Sequence, residues 1–273
     1  MAHAYPVPFP HAALVLDQEG VIGAQGSVDR VFPLASVTKL VTALAALAAV
    51  REGHIALNQP AGPVGSTVNH LLAHASGLAT EGDGTKVQAA PGERRIYSNQ
   101  GYQELGRVLA ETTGMPYADW VVEAVTKPLG MRRFTFEGDP TAAPASGGHA
   151  SARDLTVLAQ ELMEPTLLPA ELHSQLGTLQ YPHLRGVLPG YGMQTDNDWG
   201  TGAELRGDKD PHWTGTDFPG QTFGHFGVSG SFLWVDPTIG RAGVFLGGEP
   251  FGPWHKENWP QLTSQMRQLG RPQ

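Results

Sequence analysis

The chain has no cysteine in its 273 residues. That excludes disulfides, thiolate metal sites and a cysteine nucleophile. It is also poor in charge: 16% of residues are Asp, Glu, Lys or Arg against 40% hydrophobic, and the formal net charge is -8. No basic block interrupts that acidic balance, so nucleic acid is not an expected partner. Long hydrophobic runs are lacking too. The most apolar stretch, Leu40 to Val50, is too short and too alanine-rich to span a bilayer, and no membrane partner is expected. The first residues, Met1-Ala2-His3-Ala4-Tyr5-Pro6-Val7-Pro8, carry neither the basic nor the apolar region of a secretion signal, so the chain reads as soluble and cytoplasmic. Gly-x-Ser-x-Gly, Gly-x-Gly-x-x-Gly and P-loop patterns are missing, which disfavours an α/β-hydrolase elbow and nucleotide cofactors. His70 and His74 stand four apart, as zinc ligands on a helix do, but no glutamate follows His70 and no metal site is assigned.

What is present is a change of pattern along the chain. Ala12 to Leu16 and Val21 to Ala24 read as strands of a hairpin around Asp17-Gln18-Glu19-Gly20. An apolar helix follows from Ser36 to Glu52, with Gly53 as its stop. Residues 54–185 read as helices separated by turns: Thr67 to Ala75, Gln100 to Thr113, a helix opened by Pro116 and closed before Pro128, and one behind the capping box Ser151-Ala152-Arg153-Asp154. Strands return at Gly190–Met193, Phe223–Val228, Ser231–Val235 and Ala242–Leu246, before a last helix starting near Trp259 with Pro260 in its first turn. Strands at both ends with helices between predict an α/β (α+β) fold. One antiparallel sheet is closed by both termini and carries an inserted all-helical lobe. The expected single domain covers 1–273, with a sheet lobe of 1–53 and 186–273 and a helical lobe of 54–185. The cleft between lobes is the expected site.

Three short motifs carry chemistry. Ser36-Val37-Thr38-Lys39 begins the first helix, where residues three apart share a face, so the Lys39 amine can lie beside the Ser36 hydroxyl. A hydroxyl needs a base to become a nucleophile, and a desolvated lysine can be that base. An N-cap serine followed by a solvated lysine would give the same string. Tyr97-Ser98-Asn99 places a phenol and an amide on one side of an extended segment. A phenol beside a lysine cation is expected to have a lowered pKa and to pass protons. The third is Phe223-Gly224-His225-Phe226-Gly227-Val228, a glycine-punctuated strand of the kind a ligand approaches closely.

In this order, Ser-x-x-Lys, Tyr-x-Asn and His-x-Gly resemble the serine β-lactamase/penicillin-recognising hydrolase family. The nearest branch is that of class C β-lactamases, D-alanyl-D-alanine carboxypeptidases and related esterases. The phrases Leu71-Leu72-Ala73-His74-Ala75-Ser76-Gly77-Leu78 and Phe232-Leu233-Trp234-Val235-Asp236-Pro237 add to a likeness spanning roughly 11–269. The resemblance implies Ser36 as the acylated nucleophile, Lys39 as its base and Tyr97 as the proton shuttle. Asn99, His225, Phe226 and Val228 would contact substrate, with the Ser36 and Val228 N–H groups as oxyanion hole. It implies no metal and no cofactor, and a small ester, amide or lactam as substrate. Many members carry Lys at the position of His225 and a hydroxyl at that of Phe226 to bind a substrate carboxylate. Their replacement favours an esterase acting on neutral esters. A β-lactamase or D-alanyl-D-alanine carboxypeptidase is the alternative, and a non-catalytic binding protein keeping the fold is a third. Nothing in the sequence indicates an oligomeric state, and the segment Gln194–Gly220, with Trp199 and Trp213, either lines the acyl pocket or covers a sheet edge.

Overall fold

The computed structural model describes residues 5–82 and 84–270. From the N-terminus, β1 (His11–Asp17) and β2 (Gly20–Gly26) form a hairpin, and β3 (Val31–Pro33) leads toward α1 (Thr38–Arg51). The middle of the chain supplies α2 (Val68–Leu72), α3 (Asn99–Thr113), α4 (Tyr117–Val121), α5 (Lys127–Leu129) and α6 (Ala143–Ser146). Two short strands, β4 (Thr135–Phe136) and β5 (Gly148–Ser151), flank α6, and α7 (Ala152–Met163) and α8 (Ala170–His173) follow. A hairpin of β6 (Gly186–Leu188) and β7 (Gly192–Gln194) precedes β8 (Glu204–Leu205), β9 (Phe223–Gly227), β10 (Ser231–Asp236), β11 (Arg241–Gly247) and α9 (Pro253–Gln268). Among the described residues no helix is long and apolar enough to cross a membrane.

Six strands make one antiparallel sheet in the order β2-β1-β11-β10-β9-β8, so both chain ends close it. Strand alternation then splits the core in two. Leu14, Leu16, Leu233, Val235, Val244 and Leu246 face α1 and α7, while Val15, Phe232, Trp234 and Phe245 face Trp259, Leu262 and Met266 of α9. Covered on both faces, these strands read as continuous apolar runs. Gly243 lets the sheet hold Trp234, because a Cβ there would sit 2.4 Å from the indole. The inserted segment is not wholly helical: β5 pairs with β3 on one side and β4 on the other in a second sheet. The pieces are too short for hydrophobic periodicity to reveal them.

Helix α1 is buried on every side from Thr38 to Ala49, which makes it the central post of the molecule rather than an amphipathic surface helix. Two proline readings need correction. The helix opened by Pro116 does not close before Pro128; it runs on through a π-helical turn, Val122–Thr126, and the widened turn accommodates the missing proline N–H. Pro260 lies inside α9, not in its first turn, because Gly252-Pro253 already provides the start. An interior proline costs about 3 kcal/mol. Full burial of Trp259, Leu262 and Met266 at about 1.5–3 kcal/mol each outweighs that cost.

Candidate active site

Ser36 sits in a 3-10 turn, Ala35–Val37, that runs straight into α1. Residues three apart nearly eclipse in such a turn, which brings Lys39 under Ser36. The turn is entered at a cost: Ala35 has φ +44, a left-handed value that a residue with a Cβ rarely adopts. What holds it is the approach of β9. A Cβ on Gly227 would lie 2.4 Å from the Leu34 carbonyl and 3.1 Å from the Ser36 nitrogen. Glycine is therefore required for the strand end to press against the serine backbone.

Lys39 is completely buried, and desolvation pushes its pKa down to about 7, with Glu81 opposing the fall. Its Nζ donates to Asn99 Oδ1 at 2.7 Å and to the Ala145 carbonyl at 2.8 Å, and lies 3.5 Å from Ser36 Oγ. A neutral amine has two N–H bonds and one lone pair. The two short contacts are to atoms that only accept, so they hold both N–H bonds and leave the lone pair toward Ser36.

Asn99 is free for this duty because Ser98, not Asn99, caps α3, accepting from the Gly101 N–H at 3.0 Å. Asn99 Nδ2 donates in turn to Glu81. The Tyr97 ring lies 4.8 Å from Lys39 Nζ, so phenol and amide do share one side of the segment. The expected direction of the Tyr97 pKa is wrong, however. Burial raises it, and the Ser36 side chain offsets only part of the rise. The hydroxyl faces Ser36 without the short, directional contact of a formed hydrogen bond. Desolvation wins over the neighbouring amine because a largely neutral Lys39 stabilises a phenolate weakly.

A family model described as Beta-lactamase matches residues 12–260. The chain belongs to the beta-lactamase family. Over 148 residues it is 29% identical to the D-alanyl-D-alanine-carboxypeptidase/endopeptidase AmpH of Escherichia coli K12, covering 41% of this chain and 38% of that protein. It spans less than half the length of the curated relatives it matches, at 38% and 48%. A solved beta-lactamase from Mycobacterium bovis is 46% identical, covers 95% of this chain and 94% of its own, and superposes with a TM-score of 0.91. EstCE1, a hydrolase with promiscuous acyltransferase activity, shares the fold at 18% identity and a TM-score of 0.72, covering 88% and 89%. The antiparallel sheet with its flanking helices is the family fold, and the family and these neighbours are serine hydrolases.

In this beta-lactamase family member, the wall opposite Lys39 is β9. His225 is 2% exposed, its ring 5.9 Å from that of Tyr97, and burial drives its pKa down to about 3. Its Nδ1 lies 2.6 Å from the Phe226 carbonyl. Phe226 borders the pocket next to Ser36, but its ring is packed among Tyr191, Phe251 and Trp259 on the α9 side of the sheet. Exposed Val228 forms the pocket rim. The two tryptophans separate: Trp199 lines the pocket, while Trp213 belongs to the aromatic cluster over the sheet. The cavity is small, about 30 Å³.

Several residues outside the three motifs hold this site. His74, at φ +54 just beyond α2, is wholly buried, its ring tilted against that of Tyr97 at 4.5 Å. Its carbonyl accepts from the Ile96 N–H and its Nδ1 from the Ser98 N–H, each at 3.0 Å, so it grips the chain on both sides of Tyr97. The helix ends at Leu72, and His70 Nδ1 serves the Thr67 cap, so the two histidines do not share a helix face. Buried Arg95 donates to the carbonyls of Ala73, Gln180, Tyr181 and Asn197, tying the loops around the pocket together. Glu204 borders the cavity with Lys209 at 3.2 Å, His212 at 2.9 Å and the Trp213 indole N–H at 2.9 Å. Burial alone would raise its pKa; those partners outweigh it and hold the carboxylate ionised, at about 2.

Proposed function

We propose that this chain hydrolyses small esters through an acyl-enzyme on Ser36, with neutral esters preferred. The observation that carries the reading is Lys39: buried, close to neutral at physiological pH, and held by two acceptors with its lone pair toward Ser36 Oγ. Lys39 takes the Ser36 proton as Oγ attacks the substrate carbonyl. The N–H groups of Ser36 and Val228 receive the developing oxyanion, Val228 following the strand that Gly227 brings against Ser36. Tyr97, kept as a neutral phenol, donates its proton to the leaving oxygen and regains one from Lys39. The same pair then activates water for deacylation. Preference for neutral esters is supported by the strand wall, where neutral His225 and the apolar Phe226 offer a carboxylate neither charge nor hydroxyl.

The test is a mass-shift experiment. A fluorophosphonate is expected to add once, on Ser36, and a p-nitrophenyl ester to give an initial burst, both lost in Ser36→Ala. A folded protein that takes up neither probe would refute the reading and leave the non-catalytic one. A β-lactamase or D-alanyl-D-alanine carboxypeptidase is the second reading, favoured by the 46% identity to the mycobacterial beta-lactamase. Nitrocefin turnover faster than ester turnover would put it first.

A further inference from the structure

The pocket beside Ser36 has a polarity that neither the three motifs nor the neutral-ester reading requires. A backbone carbonyl only accepts, so the 2.6 Å contact to Phe226 fixes the His225 proton on Nδ1. Nε2 is then a lone-pair acceptor. It is buried in the pocket wall and has no hydrogen-bond partner. The Glu204 carboxylate also lines the cavity, an acceptor-only group whose charge is felt at both Tyr97 and His225. The nearest amine, Lys39, has both N–H bonds of its neutral form committed to Asn99 and Ala145. An unmatched buried acceptor is costly, and a group that supplies a proton to it relieves that cost. Tyr97, the proton donor to the departing oxygen, and Trp199 are the rings beside His225, so the acceptor stands next to the leaving-group half of the site. About 30 Å³ holds roughly two water-sized groups.

We propose that this pocket reads a compact, uncharged hydrogen-bond donor on the leaving group, with His225 Nε2 as its acceptor. The substrates are then esters of a small diol or polyol, whose second hydroxyl reaches Nε2. This rests on the acyl-enzyme reading, and the reverse reaction tests it. In that direction an alcohol oxygen bonds to the acyl carbon, the Ser36 Oγ–acyl bond breaks, and the alcohol proton passes to Ser36. Acyl-enzyme formed from a p-nitrophenyl ester is partitioned between water and ethanol, 2-methoxyethanol, ethylene glycol or glycolate, and the new esters are quantified.

Ethylene glycol is expected to capture the acyl group at least fivefold better than 2-methoxyethanol, which has the same second oxygen but no donor, with glycolate below both. A ratio of products does not depend on how much enzyme is folded. His225→Phe is expected to bring the glycol to 2-methoxyethanol ratio within twofold of one, and His225→Gln, whose amide oxygen can stand where Nε2 was, to restore part of it. Equal capture of the two alcohols, capture of neither, or an unchanged ratio in His225→Phe overturns the proposal. Absence of any acyl-enzyme overturns the serine-hydrolase reading instead.

Discussion

The two walls of the pocket are built on opposite plans. On the helical side, the amine and amide beside Ser36 are held within the protein, Lys39 by Asn99 and Ala145 and Asn99 by Glu81, and His74 grips the Tyr97 segment, leaving the Tyr97 hydroxyl open toward Ser36. On the strand side, a buried histidine nitrogen is left without a partner beside an ionised carboxylate. Groups fixed before substrate arrives suit charge movement, because nothing must reorganise during the reaction. A group left open suits recognition, because only the ligand completes it. Chemistry and selectivity thus fall on separate elements, and variants on the two sides are expected to fail differently.

Lys39→Ala is expected to give the largest effect, a fall of about 10²–10⁴ in the rate of fluorophosphonate labelling, the range of a lost general base. His225→Phe is expected to change that same rate by less than about tenfold, since it removes a recognition group. Equal losses in the two variants would erase the distinction between the walls. In the wild-type protein, labelling is expected to rise with pH through an apparent pKa near 7 as Lys39 loses its proton. A labelling rate flat between pH 5 and 8 would exclude Lys39 as the base.

Stability separates the walls from what supports them. Arg95→Met leaves four carbonyls, two buried and two part-buried, without their donor and is expected to cost about 3–5 kcal/mol by urea unfolding. His74→Ala is expected to lower kcat about 10- to 100-fold with KM nearly unchanged, because Tyr97 loses the grip on both flanks. His74→Asn, whose side-chain oxygen can replace Nδ1 at the Ser98 N–H, is expected to recover much of it. A structural defect alone would not be rescued in kcat by Asn while stability stayed low.

The split also explains what the sequence revealed. Ser36, Lys39, Tyr97 and Asn99 lie within two short motifs, and local spacing was enough to bring each pair to one side. The central sheet was legible because its strands are covered on both faces and so read as unbroken apolar runs. The support was not legible. Arg95 and the Glu204, Lys209 and His212 group act through backbone carbonyls and loop contacts, which leave no periodicity. The Tyr97 pKa was misjudged for a related reason: spacing reports a neighbour's charge but not the desolvation that overrides it.

The smallest expected effect is the strand wall's share of the pH dependence of stability. Folding holds His225 neutral, with a pKa near 3, whereas the unfolded chain has the ordinary value of 6.5. Between those values the unfolded state binds the extra proton, so this contribution is complete above pH 6.5 and is lost as pH falls toward 3. The slope is at most about 1.4 kcal/mol per pH unit. His74 adds a slope of the same sign, and below pH 4.5 Glu204 joins them as it approaches protonation. Lys39 acts in another window: with a folded value near 7 against 10.5 it makes stability rise from pH 7 upward. Comparing wild type with His225→Gln between pH 6.5 and 4.5 cancels the other groups. The stability difference is expected to shift toward the variant by up to about 1.4 kcal/mol per unit as the pH falls. A difference that stays constant across that range would mean His225 is protonated in the fold, and an imidazolium has no lone pair with which to accept a donor.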